Sequence, residues 1–184
     1  MTRFSSICRR RRWLAARPPG SGLPMVIRTR YFDDWLLRVT GETGIRQVVL
    51  LAAGLDTRAF RLAWPASTHL FEVDKAAVLH DKAQVLAAAG AQPACTRTVI
   101  EADLTAPWTA SLLAAGFAAQ QAAIWLLEGF LFYLPVAQLV EILDAVSKLA
   151  APGSWLGFDL VNAAVLTSPW TRPWVEMQAT AGAL

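Results

Sequence analysis

The run Gln47-Val-Val-Leu-Leu-Ala52 leads through Ala53 to Gly54, then to Asp56-Thr57 and Arg58-Ala-Phe-Arg-Leu62. No other stretch narrows the possible folds as much. A short apolar run rich in branched side chains reads as a strand buried on both faces, because a strand wet on one face would alternate. Gly54 breaks the run. Arg58–Leu62 reads as a short helix, and Asp56 and Thr57 can cap its start. A strand, a glycine turn and a helix start together form a place where backbone can approach a ligand and N–H groups can point at it.

The same alternation continues along the chain. Before the run, Tyr31, Phe32, Trp35, Leu36 and Val39 recur at helical spacing within Met25–Thr40, with Gly41 as the expected stop. After it, His69–Asp74 reads as a second strand with two acidic groups towards its C-terminal end. Lys75–Ala89 reads as a helix stopped by Gly90, and Thr96–Glu101 as a third strand followed by Ala102-Asp103-Leu104. A helix over Ser111–Phe117 leads to a fourth strand, Ala122–Leu127, and to Glu128-Gly129. Pro135 then opens a helix whose apolar face is Val136, Leu139, Val140, Leu143, Val146 and Leu149. Ala151-Pro-Gly153 stops it, and Ser154–Leu160 reads as a fifth strand. Strands alternating with helices predict an α/β fold: a doubly wound, mostly parallel sheet with right-handed crossovers and strand order 3-2-1-4-5.

Charge divides the chain. Residues 1–30 hold eight arginines and no carboxylate, so the remaining nine basic and 14 acidic residues leave the rest at −5. An acidic folded part argues against a nucleic-acid partner. Residues 1–24, with Cys8-Arg-Arg-Arg-Arg-Trp13 and the breaker-rich Pro18–Pro24, are expected to form a disordered basic head, and 25–184 the folded domain. Cys8 and Cys95 share no metal-ligand or redox spacing, which predicts no metal site and a reducing, cytoplasmic location. Leu104–Leu127 runs 24 residues without a charge, enough to cross a bilayer. Pro107, Gly116 and Gln120-Gln121 interrupt it, so it is read as helix, turn and strand, with no membrane partner.

In a doubly wound sheet, ligands bind beyond the C-terminal strand ends, where strand order reverses. Gly54, Asp74, Asp103 and Glu128 fall at four such ends. Asp74 lies 20 residues after Gly54, the spacing of an acid that accepts hydrogen bonds from a ribose. A dinucleotide would fit that spacing. However, the turn Ala52-Ala-Gly-Leu-Asp-Thr57 has one glycine and a carboxylate where a pyrophosphate wants several glycines and no acid. An acidic pocket better suits a ligand with a cationic centre, such as a sulfonium. Arg28 and Arg30 sit at a helix start, where a cation opposes the dipole, so another task is expected of them.

Five segments carry a resemblance: Arg28-Thr-Arg-Tyr-Phe-Asp-Asp34, Val49-Leu-Leu-Ala-Ala-Gly-Leu-Asp-Thr-Arg58, Phe71-Glu-Val-Asp74, Ala102-Asp-Leu104 and Glu128-Gly-Phe-Leu-Phe-Tyr-Leu-Pro135. In this order they resemble the leucine carboxyl methyltransferase-like family, in particular its bacterial S-adenosylmethionine-dependent branch. The resemblance runs from Met25 to the end and implies a Rossmann-like class I methyltransferase fold with S-adenosyl-L-methionine as cofactor. It implies that Asp74 holds the ribose hydroxyls and that Asp103, with the backbone of Leu104, holds the adenine. Gly54 would admit the methionine part, Glu128 would lie near its amino group, and Arg28 or Arg30 would meet its carboxylate. The family's N-terminal cover and its closing antiparallel strand pair have no counterpart here. The sheet is therefore expected to be incomplete at the strand 5 edge and able to self-associate there, with Trp170 and Trp174 adding apolar surface.

Three function classes are consistent with these residues. The first is an O-methyltransferase with an unidentified acceptor, small or carboxylate; a carboxylate is already a nucleophile and needs no base. The second is an inactive or cofactor-binding fragment of such an enzyme. The third is a nicotinamide-dependent oxidoreductase, which the single-glycine turn disfavours. His69 and His80 read as structural, Tyr133 as either acceptor-facing or core, and no catalytic residue is assigned.

Overall fold

The computed structural model describes residues 23–162, 164–169, 171–173 and 176. Most of the basic head, with Trp170 and Trp174, lies outside them. Helix α1 spans Leu23–Thr43. Strand β1 (Gln47–Leu51), the single turn α2 (Arg58–Arg61), β2 (His69–Asp74), α3 (Ala76–Ala88), β3 (Thr96–Glu101), α4 (Thr109–Ala114) and β4 (Ala123–Leu127) come next in the chain. A 3₁₀ turn (Leu131–Tyr133), α5 (Val136–Leu149), β5 (Trp155–Phe158) and α6 (Ala164–Thr167) complete the described chain.

The five strands form one parallel sheet in the order β3-β2-β1-β4-β5, as the alternation predicts. Every residue of β1 is buried. Val49 and Leu51 join Phe71, Val73, Trp125 and Leu127 on one face, under Leu112 of α4 and Ile142 and Val146 of α5. Val48 and Leu50 join Leu70, Ile124 and Leu126 on the other, under Phe32, Trp35, Leu36 and Val39 of α1. Two covered faces explain a continuous apolar run.

Local readings needed correction where a side chain's destination was not written in its neighbours. Helix α1 starts two residues before Met25 and passes through Gly41, ending before Gly44, whose φ is +74°. The tertiary contacts of Leu36 and Val39 outweigh one poor helix former. Strand β5 is shorter than the expected Ser154–Leu160. On α5, Val136 and Val140 face outward at 76% and 55% exposure, and Ile142 takes the buried place. Glu72 is not a strand-end acid. It is wholly buried in β2, where Lys82 Nζ (2.6 Å) and Arg97 Nη2 (2.7 Å) both meet its Oε2. The charge-free Leu104–Leu127 stretch resolves into loop, α4, turn and β4, and no described helix is long and apolar enough to cross a membrane.

Helix α1 seats on β5 through a glycine. A Cβ on Gly157 would stand 2.8 Å from Trp35 Cζ3 and 2.9 Å from Cη2. An indole ring cannot bend aside, so Gly157→Ala should destabilise the fold by about 1–3 kcal/mol, the usual cost of overpacking. Urea unfolding monitored by circular dichroism would show a lower midpoint with an unchanged slope; an unchanged midpoint would mean that α1 does not rest there.

The β5 edge has no partner strand among the described residues, and Trp155, Leu156 and Phe158 are each 40–44% exposed. An uncharged, proline-free edge offers unpaired N–H and C=O groups to another strand. We expect the chain to self-associate at tens of micromolar and Leu156→Lys to reduce this. Size-exclusion chromatography with light scattering tests it, and a monomeric native chain would refute it.

Candidate functional site

Strand order reverses beside β1: the chain moves from β1 to β2 on one side and later returns to β4 on the other. The C-terminal ends of β1 and β4 therefore diverge, and a cavity of about 450 Å³ opens between them. The Ala52–Arg58 turn, Arg61, Leu126, Glu128, Gly129 and the α1 residues Arg28 and Thr29 line it.

The turn is tighter than an open anion cradle. Ala52 and Gly54 have φ values of 53° and 49°. Gly54 N–H donates to Asp74 Oδ2 at 2.6 Å, so the 20-residue spacing read in the sequence is a direct contact. Asp74 Oδ1 accepts Lys75 N–H at 2.7 Å. Asp56 N–H donates to the Ala53 carbonyl at 2.9 Å, and Asp56 Oδ1 caps Arg58 N–H at 2.6 Å. Thr57 is the N-cap residue but makes no side-chain cap bond. The expected open N–H groups are thus already satisfied at Gly54, Asp56 and Arg58. The cavity must hold a ligand by side chains as much as by backbone.

Arg58 was not expected as a site residue, yet it organises this one. Its side chain is 2% exposed. Nε donates to Asp33 Oδ1 at 2.7 Å, Nη1 pairs with Asp56 Oδ2, and Nη2 donates to the Thr29 carbonyl at 3.3 Å. Nη2 also lies 2.6 Å from Glu128 Oε2. That oxygen is buried and has no aligned hydrogen bond, so the contact there is one of charge rather than geometry. Glu128 Oε1 is satisfied by Arg28 Nε (2.9 Å) and Thr29 Oγ1 (3.1 Å). Arg28 Nη1 reaches Asp159 Oδ2 at 3.0 Å, and Arg61 is bidentate on Asp33. Arg28, Arg58 and Arg61 thus face Asp33, Asp56, Glu128 and Asp159, which leaves one formal negative charge. Burial opposes the charge on Arg58, but its three carboxylates hold the guanidinium above its ordinary range. Burial raises Asp56, against the pull of Arg58.

Arg28 and Arg30 separate clearly. Arg28 lines the cavity, and its guanidinium crosses Gly129 so closely that a Cβ there would stand 2.8 Å from Nη2. Arg30 is exposed and paired with Asp34 one turn on, outside the lining. Asp103 and Leu104 also lie outside the cavity, at the end of β3. Leu104 packs into the core. Asp103 accepts Thr105 N–H at 2.9 Å and Thr105 Oγ1–H at 2.7 Å, and meets Lys75 Nζ at 3.1 Å. The structure therefore gathers Gly54, Glu128 and Arg28, ties Asp74 to them through Gly54, and leaves Asp103, Leu104 and Arg30 aside.

Other candidates stand apart. His69 stacks on Phe71 and bonds Thr98, with burial lowering its pKa; exposed His80 bonds Glu101. Tyr133 is half exposed, neither core nor cavity lining. Burial pushes the Cys95 thiol up to about 11, which suits an inert side chain.

The Thr105 N–H, then its hydroxyl, then Lys75 hold the Asp103 carboxyl down at about 2. A folded value below the unfolded one contributes stability that is complete above the ordinary carboxylate range and lost as pH falls towards 2. Asp103→Asn should flatten the drop in urea midpoint between pH 5 and pH 2.5. An equal drop in native and variant would show that Asp103 takes no part.

Residues 10–147 match the family model described as leucine carboxyl methyltransferase, which begins within the basic head. A Parafrankia sp. (strain EAN1pec) protein whose name places it among the S-adenosyl-L-methionine-dependent methyltransferases is 50% identical over 135 residues, 73% of this chain and 43% of its own. A similarly named Streptomyces coelicolor protein is 48% identical over 134 residues, 73% of this chain and 44% of its own. The chain spans about half the length of the curated relatives it matches. A Thermobifida fusca crystal structure, described as a methyltransferase, superposes with a TM-score of 0.66 at 21% identity, over 88% of this chain and 61% of that one. A DUF574 family protein from Streptomyces avermitilis gives 0.63 at 18%, over 85% and 62%. These two likenesses establish the shared fold.

Proposed function

Because this chain belongs to the leucine carboxyl methyltransferase family, we propose that its cavity binds S-adenosyl-L-methionine and that it transfers a methyl group to an oxygen acceptor, a carboxylate first among them. One observation carries the reading: Glu128, a carboxylate whose side chain is only 11% exposed, stands in the lining of a cavity at the strand-order reversal. A largely buried carboxylate facing a cavity suits a cationic ligand group, because scarce water strengthens the attraction. The amino group of the cofactor's methionine part would be that cationic group. The cluster's remaining negative charge fits the sulfonium, and a volume of about 450 Å³ lies in the range of small-molecule sites.

The residues divide the work. Glu128 would hold the amino group, Arg28 the carboxylate, and Gly54 would let the methionine part lie against the turn. Asp74 keeps acceptor capacity beyond its two amide bonds and would take the ribose hydroxyls. Asp103 and the Leu104 backbone would receive the adenine further along the strand ends. The cofactor, when bound, supplies a methyl group made electrophilic by positive sulfur. The chain's own contribution is to fix that group's direction and to exclude water, the larger part of catalysis in a displacement of this kind. A carboxylate acceptor is a nucleophile at neutral pH, so the lack of a histidine in the cavity lining is no obstacle. A cytoplasmic site of action belongs to the same reading, with Cys95 unpaired.

Isothermal calorimetry with S-adenosylmethionine, S-adenosylhomocysteine and NAD tests the reading. The first two should bind and the third should not. Asp74→Ala removes charge-assisted ribose bonds worth about 1.5–3 kcal/mol, so it should weaken binding more than tenfold. An unchanged affinity would remove Asp74 from the site, and binding of NAD alone would overturn the reading. A radiolabelled methyl-transfer assay on small carboxylates then separates turnover from binding alone.

A further inference from the structure

We propose that Arg58 is the positioning residue of this cavity: it keeps the lining carboxylates charged and fixes Glu128 for the cofactor's cation, without touching the cofactor. The inference rests on the reading of the cavity as an S-adenosylmethionine site.

Arg58 is enclosed. Nε, Nη1 and Nη2 are each engaged by Asp33, Asp56, Glu128 or the Thr29 carbonyl. Arg58 belongs to the turn that lines the cavity, but its side chain is 2% exposed against 14% for Asp56 and 11% for Glu128, so a ligand meets those carboxylates before the guanidinium. The three partners come from three elements: Asp33 from α1, Asp56 from the turn, Glu128 from the end of β4. One planar group with donors in fixed directions thus sets the distance between two walls of the cavity and the helix that covers it. Glu128 is held by charge at Oε2 and by hydrogen bonds at Oε1, which fixes the carboxylate while leaving Oε2 short of an aligned donor.

Charge makes the role specific. Arg28 faces the group from α1, Arg61 from α2, Asp159 from the segment after β5, and Glu72 and Lys82 act on Asp56 from β2 and α3. Without Arg58, Asp33, Asp56 and Glu128 would keep Arg28, Arg61 and, for Asp56, Lys82 as near cations, with only 11–14% of each carboxylate side chain exposed. Like-charged, largely buried carboxylates then repel one another with less compensation, so one of them holds a proton to higher pH than in the native chain. A ligand cation then meets a neutral carboxyl and binds weakly until rising pH removes the proton. A side chain that served only to fill space would weaken binding equally at every pH.

The test has two arms. In the first, carboxyl-carbon NMR on the ligand-free chain tracks Asp and Glu side chains from pH 5 to pH 9. The native cluster should be fully charged at pH 7, and Arg58→Gln should show one cluster carboxyl still titrating above pH 6. In the second, calorimetry with S-adenosylmethionine gives the ratio of variant to native Kd across that range, in which the cofactor's own titration cancels. Arg58→Gln should raise the ratio at least tenfold at pH 6 and less at pH 8.5. Arg58→Gln with Asp33→Asn removes one charge of each sign, and since Asp33 does not line the cavity, it should bring the ratio back towards one. A native cluster carboxyl protonated at pH 7, or a pH-independent ratio, would overturn the proposal. Should Arg58→Gln fail to fold, the native spectrum and the balanced double variant still decide. A native chain that binds no S-adenosylmethionine refutes the cofactor reading, while the first arm continues to test Arg58.

Discussion

The double pairing of β1 is the constraint on which the rest of this structure depends. Val48, Val49 and Leu50 each have a partner in β2 and another in β4. The strand's hydrogen-bonding groups are taken up by both neighbours, and all five side chains are buried. A strand placed so cannot shift without moving every apolar side chain to the wrong face. The chain can open only where the strand stops. At that point Ala52 takes a left-handed conformation, φ 53°, which costs a residue with a Cβ about 1–2 kcal/mol. Ala53 N–H on the Val73 carbonyl (3.1 Å) and Gly54 N–H on Asp74 hold the turn in that shape. The ends of β1 and β4 part there, and the cavity is a consequence of the strand order.

The cavity's polar lining is also what docks α1. Apolar contacts seat Phe32, Trp35, Leu36 and Val39 on the sheet. The helix's start is held instead by Arg28, Thr29 and Asp33, through carboxylates and guanidiniums of the turn, α2 and β4. Buried ion pairs rarely add much net stability, because desolvation cancels most of the attraction. They do specify one arrangement, since any other leaves a charge unpaired. The helix that covers the site is therefore tied down by the groups a ligand would engage. A ligand cation on Glu128 adds a partner to a cluster with one negative charge to spare.

Elements with a strong period or a clean boundary were legible in the sequence. His69–Asp74 and Thr96–Glu101 match the observed strands residue for residue, and the strand order agrees with the alternation. Gly54 with Asp74, and Glu128 beyond β4, were legible because strand ends and spacing are one-dimensional facts. Arg58 was not. It looks like one more charged residue on a short helix, and its partners lie 25 and 70 positions away as well as two, at Asp33, Glu128 and Asp56. The one local signal was the pair Asp56 and Arg58 in a turn flanked by buried residues. Glu72 misled for a related reason: Lys82 and Arg97, which make its burial tolerable, belong to the next helix and strand. Arg28 and Arg30 differ by about 200° around the helix, and telling them apart required knowing which side of α1 faces the sheet.

The two sheet edges differ because one carboxylate is committed elsewhere. Strand β3 carries Glu101, half exposed, whose charge discourages another strand from pairing there. Strand β5 has no charged residue, and the carboxylate just beyond it, Asp159, points away from the edge. Asp159 Oδ1 accepts Gly129 N–H at 2.6 Å, and Oδ2 holds Arg28. Both bonds belong to the cavity wall: one fixes the turn after Glu128, the other steadies the arginine across Gly129. The residue best placed to guard the edge is thus engaged by the site. A carboxylate cannot serve both places, because a guard must face solvent along the strand, whereas the Arg28 contact is stronger where water is scarce. A charge introduced at Leu156, on the opposite sheet face from Gly157 and α1, would guard the strand without disturbing the cavity wall.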